Sequence, residues 1–220
     1  MMKQVIRFTI LLMLSFLITK GLVAQELPEI LQRVLQTDTA YQSISCTVNI
    51  QVDVPGLNMP EKEIYLELEK DKKPTIKSKG LIILPKRGII GQYREFLNQA
   101  CQAIPMGENG DTITYKVVSL DKKTDWVTVD LSITKTDVRV QHMLIATRKN
   151  GEYEVKHSYG AESDIFPAHT IISFEAMPLK LPLKFLGQQE GMESLEEQDG
   201  PVTGKVILDY SNIELKKEME

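Results

Sequence analysis

The sequence predicts a single, mostly antiparallel β-domain behind an export leader. Three observations carry this. Apolar and polar residues alternate with period two through most of the chain beyond residue 43, turn signals punctuate that alternation, and helical periodicity is confined to two short stretches. About nine strands at such spacing fit either a sandwich or a barrel.

The leader comes first. Lys3 and Arg7 give a positive start, Phe8 to Ile18 is an eleven-residue, mostly apolar run, and Gly21-Leu22-Val23-Ala24 precedes an expected cut between Ala24 and Gln25. A spanning helix needs roughly 20 apolar residues, and Lys20 interrupts this run short of that. The pattern predicts a cleaved signal peptide over 1–24 and one domain over 25–220. The leader takes three of the 26 Lys and Arg and none of the 30 Asp and Glu, so the mature chain carries 23 basic against 30 acidic residues, a net of −7. Five arginines remain (Arg33, Arg87, Arg94, Arg139, Arg148) without an aromatic-rich basic stripe, which makes nucleic acid a poor partner. Two cysteines survive export, Cys46 and Cys101; an oxidising compartment permits a bridge, and buried free thiols are equally compatible with the pattern.

Leu27, Ile30, Leu31, Val34 and Leu35 recur at the helical period, with Pro28 early enough to be tolerated. Ile44, Cys46, Val48, Ile50, Val52 and Val54 then alternate until Pro55-Gly56. Ile64, Leu66 and Leu68 continue the alternation, and a third run spans Thr75 to Leu84. Gly91 to Cys101 predicts a short helix with Ile90, Tyr93, Leu97 and Cys101 on one side. Gly107 to Asp111 predicts a turn, because Glu108 and Asp111 repel phosphate. Further strands are expected at Ile113 to Leu120, Thr170 to Ala176 and Lys205 to Leu215.

Residues 126–159 are the most informative. Asn150-Gly151 is a strong two-residue hairpin signal, since a type I′ turn needs positive φ at both positions. Such a turn pairs Ala146 with Val155, Leu144 with His157 and His142 with Tyr159. A turn at Lys135-Thr136 pairs Ile133 with Val138 and Leu131 with Val140. The expected result is a three-stranded meander with one apolar face, and a one-residue slip would destroy that agreement. Val129, Leu131, Val140, His142, Leu144, Ala146, Val155, His157 and Tyr159 on this face are the candidate ligand-binding residues.

Enzymatic signatures are missing: the sequence holds no Gly-x-Ser-x-Gly elbow, Walker loop or His-Glu-x-x-His. Asp125 and Asp130 flank the strand start at Trp126, and their odd spacing puts them on opposite faces. His142 and His157 share the predicted face as diagonal neighbours, yet no carboxylate or thiolate joins them there, and a metal needs three or four convergent ligands. No catalytic residue, metal or cofactor is expected. The apolar face is read either as closed core against a second sheet or as the lining of a pocket under the two helical stretches.

Several segments together resemble the LolA/LolB superfamily of periplasmic lipoprotein carriers. They are the N-terminal helix leading through Tyr41-Gln-Ser-Ile44 into a strand, Trp126-Val-Thr-Val-Asp-Leu131, Thr147-Arg-Lys-Asn-Gly151, Tyr153 to Tyr159, Phe166-Pro-Ala-His-Thr-Ile-Ile-Ser-Phe174 and Val206 to Asn212. The resemblance implies a curved antiparallel sheet forming an unclosed barrel, short helices as its lid, and a hollow for acyl chains. It implies a non-enzymatic periplasmic carrier whose partner is a lipid or an acylated protein. Classical carriers of that superfamily gate the lid with an arginine on an early strand, whereas residues 43–69 here contain none, and Arg94 on the second helical stretch is at most a substitute. Related folds also serve as envelope sensors, so an interaction module with a packed core is the alternative. Leu179, Leu181, Leu183 and Phe185 alternate with Lys180, Pro182 and Lys184; this is either a half-buried strand or a contact for a membrane or membrane receptor. The leader yields a direct test: N-terminal sequencing of exported protein is expected to begin at Gln25, and a chain retaining Met1 would refute cleavage.

Overall fold

Burying every second side chain of a strand commits its other face to solvent, and that division organises nearly every element of the chain. The computed structural model describes residues 26–37, 41–55, 57–69, 75–78, 92–149, 151–160, 166–176 and 202–217. Helix α1 (Glu29–Thr37) precedes strands β1 (Tyr41–Val54), β2 (Leu57–Asn58), β3 (Lys62–Glu69) and β4 (Thr75–Ser78). Helix α2 (Gln92–Leu97) leads into β5 (Cys101–Asn109), β6 (Thr112–Ser119), β7 (Trp126–Thr134), β8 (Val140–Thr147), β9 (Glu152–Tyr159), β10 (Pro167–Ala176) and β11 (Val202–Lys217). The leader, the run beyond Ser78 to Leu84, Asn150 and the segment carrying Leu179, Leu181, Leu183 and Phe185 lie outside the described residues.

The strands form one sheet in the order β4-β3-β1-β11-β10-β9-β8-β7-β6-β5, with β2 beside β1. Every pairing is antiparallel, and the path ends at β4 and β5 without closing into a barrel. From β5 to β11 neighbours in sequence are neighbours in space. The exception is central: β1 and β11 pair from Tyr41↔Lys217 to Asp53↔Lys205, joining the ends of the described chain.

One face of this sheet is largely apolar from β3 across to β5. Leu66 of β3, Val48 of β1, Leu208 of β11, Ile172 of β10, Val155 of β9, Met143 of β8, Leu131 of β7, Val117 of β6 and Ala103 of β5 are buried in a single hydrophobic cluster. Leu31 and Val34 of α1 and Phe96 and Leu97 of α2 enter the same cluster. Trp126 anchors α2: its ring lies 5.1 Å from Phe96, and its indole N–H donates to Gln99 Oε1 at 2.8 Å. The opposite face is polar, with Thr114 and Ser132 hydroxyls 3.0 Å apart, a Lys116–Asp130 ion pair, and Gln51 donating to Glu61 at 2.7 Å.

Four expectations are corrected. The second helix ends at Leu97, and Cys101 opens a strand rather than closing the helix. Gly107 and Glu108 belong to β5, and the turn narrows to Gly110 (φ +57°) and Asp111 between Asn109 and its partner Thr112. Pro105 hid this strand. A proline cannot donate to a ladder and is confined to edges, which is where β5 lies. The turn after β7 is longer than two residues, with the Thr134 N–H donating to Arg139 O at 2.9 Å, so Ile133 pairs with Val140 and Leu131 with Met143. The β8–β9 hairpin places Thr147 opposite Gly151 (φ +73°), the Thr147 N–H donating to Gly151 O at 3.0 Å, which is the geometry of a three-residue loop with a left-handed glycine. Met143 therefore pairs with Val155 and Ile145 with Tyr153, three residues from the expected register.

Gly204 lies opposite Phe174, and a Cβ there would fall 2.7 Å from the Phe174 ring and 2.9 Å from a Val54 methyl. Gly204→Ala is expected to destabilise the fold by about 1–3 kcal/mol, the usual range for overpacking. Phe174→Leu in the same chain should recover part of this in a denaturant titration, and an unchanged midpoint for Gly204→Ala would refute the close packing.

Candidate functional site

The apolar face is the candidate site, and bulges decide which residues reach it. In β8 the register shifts between the pairs Ser132↔His142 and Ile133↔Val140, leaving Gln141 as an extra residue. Val140 points into the core before the shift, and Met143 and Ile145 point into it afterwards. Val129, Leu131, Val140, Val155, His157 and Tyr159 thus lie on the apolar face as expected, whereas His142, Leu144 and Ala146 lie on the polar one. Leu144 faces Asp130 and Glu154 across the sheet, Ala146 faces Glu152, and His142 Nε2 sits 2.9 Å from Glu154 Oε1. His142 and His157 consequently occupy opposite faces and cannot share a metal.

Glu154 belongs to that outer ladder. Hydrogen bonds from Lys156, at 2.8 Å, and then from His142 hold its carboxyl below the ordinary value. Farther along, His169 Nδ1 lies 2.5 Å from Asp209 Oδ1 on the same outer surface. A depression of about 610 Å³ also opens on this side, bordered by Thr47, Glu63, Tyr65 and Lys77.

The apolar face carries one polar row, on the four neighbouring strands β9, β10, β11 and β1. His157 Nδ1 lies 2.8 Å from the Thr170 hydroxyl, and Thr170 is 0 % exposed. Burial pushes the imidazole down to about 4, so it is neutral at pH 7. Tyr210 follows on β11, 6 % exposed, its ring edge-on to Phe166 at 5.2 Å. Its hydroxyl approaches Thr170 but has no partner in hydrogen-bonding geometry. Such an orphan costs about 1–3 kcal/mol. Cys46 of β1 ends the row; burial raises its thiol to about 11, and both Cys46 and Cys101 are free. At the other end, Tyr159 donates to Val140 O at 2.8 Å.

No protein-family model matches the chain, and neither does any curated protein. Solved structures do. A LolA superfamily protein from Nitrosomonas europaea is 10 % identical at a TM-score of 0.50, over 91 % of this chain and 96 % of that one. A domain assigned to an outer membrane lipoprotein-sorting protein from Vibrio parahaemolyticus is 10 % identical at 0.54, over 90 % and 95 %. The chain has the LolA-type fold. A DUF1329 family protein from Desulfovibrio piger shares it at 8 % identity and 0.51, over 87 % and 92 %.

On this LolA-type sheet, sequence periodicity locates five candidates on the meander's core face, at Val129, Leu131, Val155, His157 and Tyr159, and reaches Val140 through a pairing the structure replaces. It misses Met143 and Ile145, because Met143 to Ala146 are four consecutive apolar residues that satisfy either phase. Thr170 and Tyr210 are missed because their link to His157 spans strands distant in sequence. Arg94 sits on α2, half-buried, and not on an early strand.

The register predicts its own mutational signature. Met143→Ala and Ile145→Ala should each cost about 2–5 kcal/mol, as large-to-small core changes do. Ala146→Leu on the outer face should stay within about 0.5 kcal/mol of the parent. Thermal unfolding with the opposite ranking would restore the two-residue hairpin register.

Proposed function

We propose that this protein is a non-enzymatic periplasmic carrier or binding protein for acylated ligands, lipid or lipoprotein, held against the apolar face of its open sheet. The observation that carries this reading is the largely apolar face shared by nine strands, β3 to β5, of a sheet that does not close, overlaid by two short helices. An acyl chain needs a long dry surface, and a sheet without ring closure can admit one by displacing α1 and α2. The fold shared with the lipoprotein-sorting domain supports the same direction. The leader read from the sequence, with its cut near Ala24, supports export to a compartment where such cargo travels.

In this reading Val129, Leu131, Val140, Val155, His157 and Tyr159, with Met143 and Ile145, line the binding face once the helices lift. Leu31, Val34, Phe96 and Leu97 act as the plug that ligand replaces. Their near-complete burial also favours a second reading, an envelope interaction module whose core stays shut. Mass spectrometry of protein purified without detergent, paired with titration of a fluorescent fatty-acid analogue, separates the two. Co-purifying acyl species and saturable dye binding are expected. A clean apoprotein that ignores the dye would leave the packed module standing.

A further inference from the structure

The polar row on the apolar face has no structural duty that accounts for all of it. His157 and Thr170 satisfy each other, yet the Tyr210 hydroxyl, on a strand at the centre of the sheet, is buried close to Thr170 and has no partner in hydrogen-bonding geometry among the described residues. Buried donors in folded proteins are nearly always matched, so an unmatched one asks for a group that arrives from outside. We propose that Tyr210 and Thr170 form the polar anchor of the ligand site, and that they receive the uncharged carbonyl of an acyl ester or amide while its chain lies along the apolar face. The proposal rests on the carrier reading and specifies the head chemistry of its cargo.

The chemistry favours a neutral acceptor. The Tyr210 O–H donates and needs an acceptor; the Thr170 hydroxyl shares one bond with His157 Nδ1 and keeps capacity for another. Burial raises the Tyr210 phenol and lowers the His157 imidazole, so both are uncharged at pH 7. Cys46 beside them is a neutral thiol. A free carboxylate would enter with no cation among these four groups, and the Asp209 carboxylate is close enough to bear on Tyr210 as a further negative charge. An ester or amide carbonyl fills the vacancy on the phenol without burying a charge.

Competition against a bound apolar dye tests this on the purified, delipidated protein, with methyl laurate, tridecane and laurate as competitors. Methyl laurate is expected to compete about tenfold better than the alkane of equal carbon count, the worth of roughly one net hydrogen bond, and better than laurate. In Tyr210→Phe the ester-to-alkane ratio should fall to about one, with thermal stability equal or higher because an unmatched hydroxyl has gone. Thr170→Val should reduce the same ratio and supplies the comparison if the first variant folds poorly. An unchanged ratio in both variants, or laurate competing best, overturns the anchor alone. If none of the three competitors displaces dye and no dye binds, the carrier reading falls and takes the anchor with it.

Discussion

The fold depends on the pairing of β1 with β11. Each brings a partner series that is local in sequence, β3 and β4 on one side and β10 back to β5 on the other. Without this ladder the chain would be two unrelated sheets, each with an extra unpaired edge and half a core. Among the described strand pairings this ladder is also the least local, Tyr41 meeting Lys217, so the entropy of closing a long stretch of chain weighs against it. What offsets that entropy is length and apolar content: Ile44, Cys46, Val48 and Ile50 face the same core as Val206, Leu208 and Tyr210.

The ladder contains a bulge that shapes the site. Between Ser45↔Glu214 and Thr47↔Ser211 the register shifts, and Asn212 takes φ +52°, a left-handed conformation asparagine tolerates better than most residues. The core-facing phase of β11 therefore changes from even positions, ending at Tyr210, to odd ones at Ile213 and Leu215. The extra residue Gln141 in β8 acts the same way. Two single-residue insertions thus set where polar side chains can appear on an otherwise apolar surface.

Those insertions mark the limit of what the sequence reveals. Fold class, the meander over 126–159, both helical stretches and the core faces of β1, β3 and β7 follow from periodicity, because period-two patterns are long and regular there. The register of β8 does not follow. Residues Met143 to Ala146 fit both phases, and Asn150-Gly151 signals a tight turn without choosing between two- and three-residue loops. The strand β5 was masked by Pro105, which is informative only once the strand is known to be an edge. His157 was legible as a core-face residue, whereas Tyr210 gains meaning only from its position relative to Thr170, a relation that exists in three dimensions alone.

An open sheet has two rims, and the β5 rim bears on how the molecule behaves in a crowded compartment. Pro105 removes a donor from it, the register shifts around Met106, and Glu108 is tied back to Lys135 at 2.7 Å. These features blunt the strand as a template for a neighbouring chain. That rim of the unsealed sheet is therefore a poor template for edge-to-edge polymerisation.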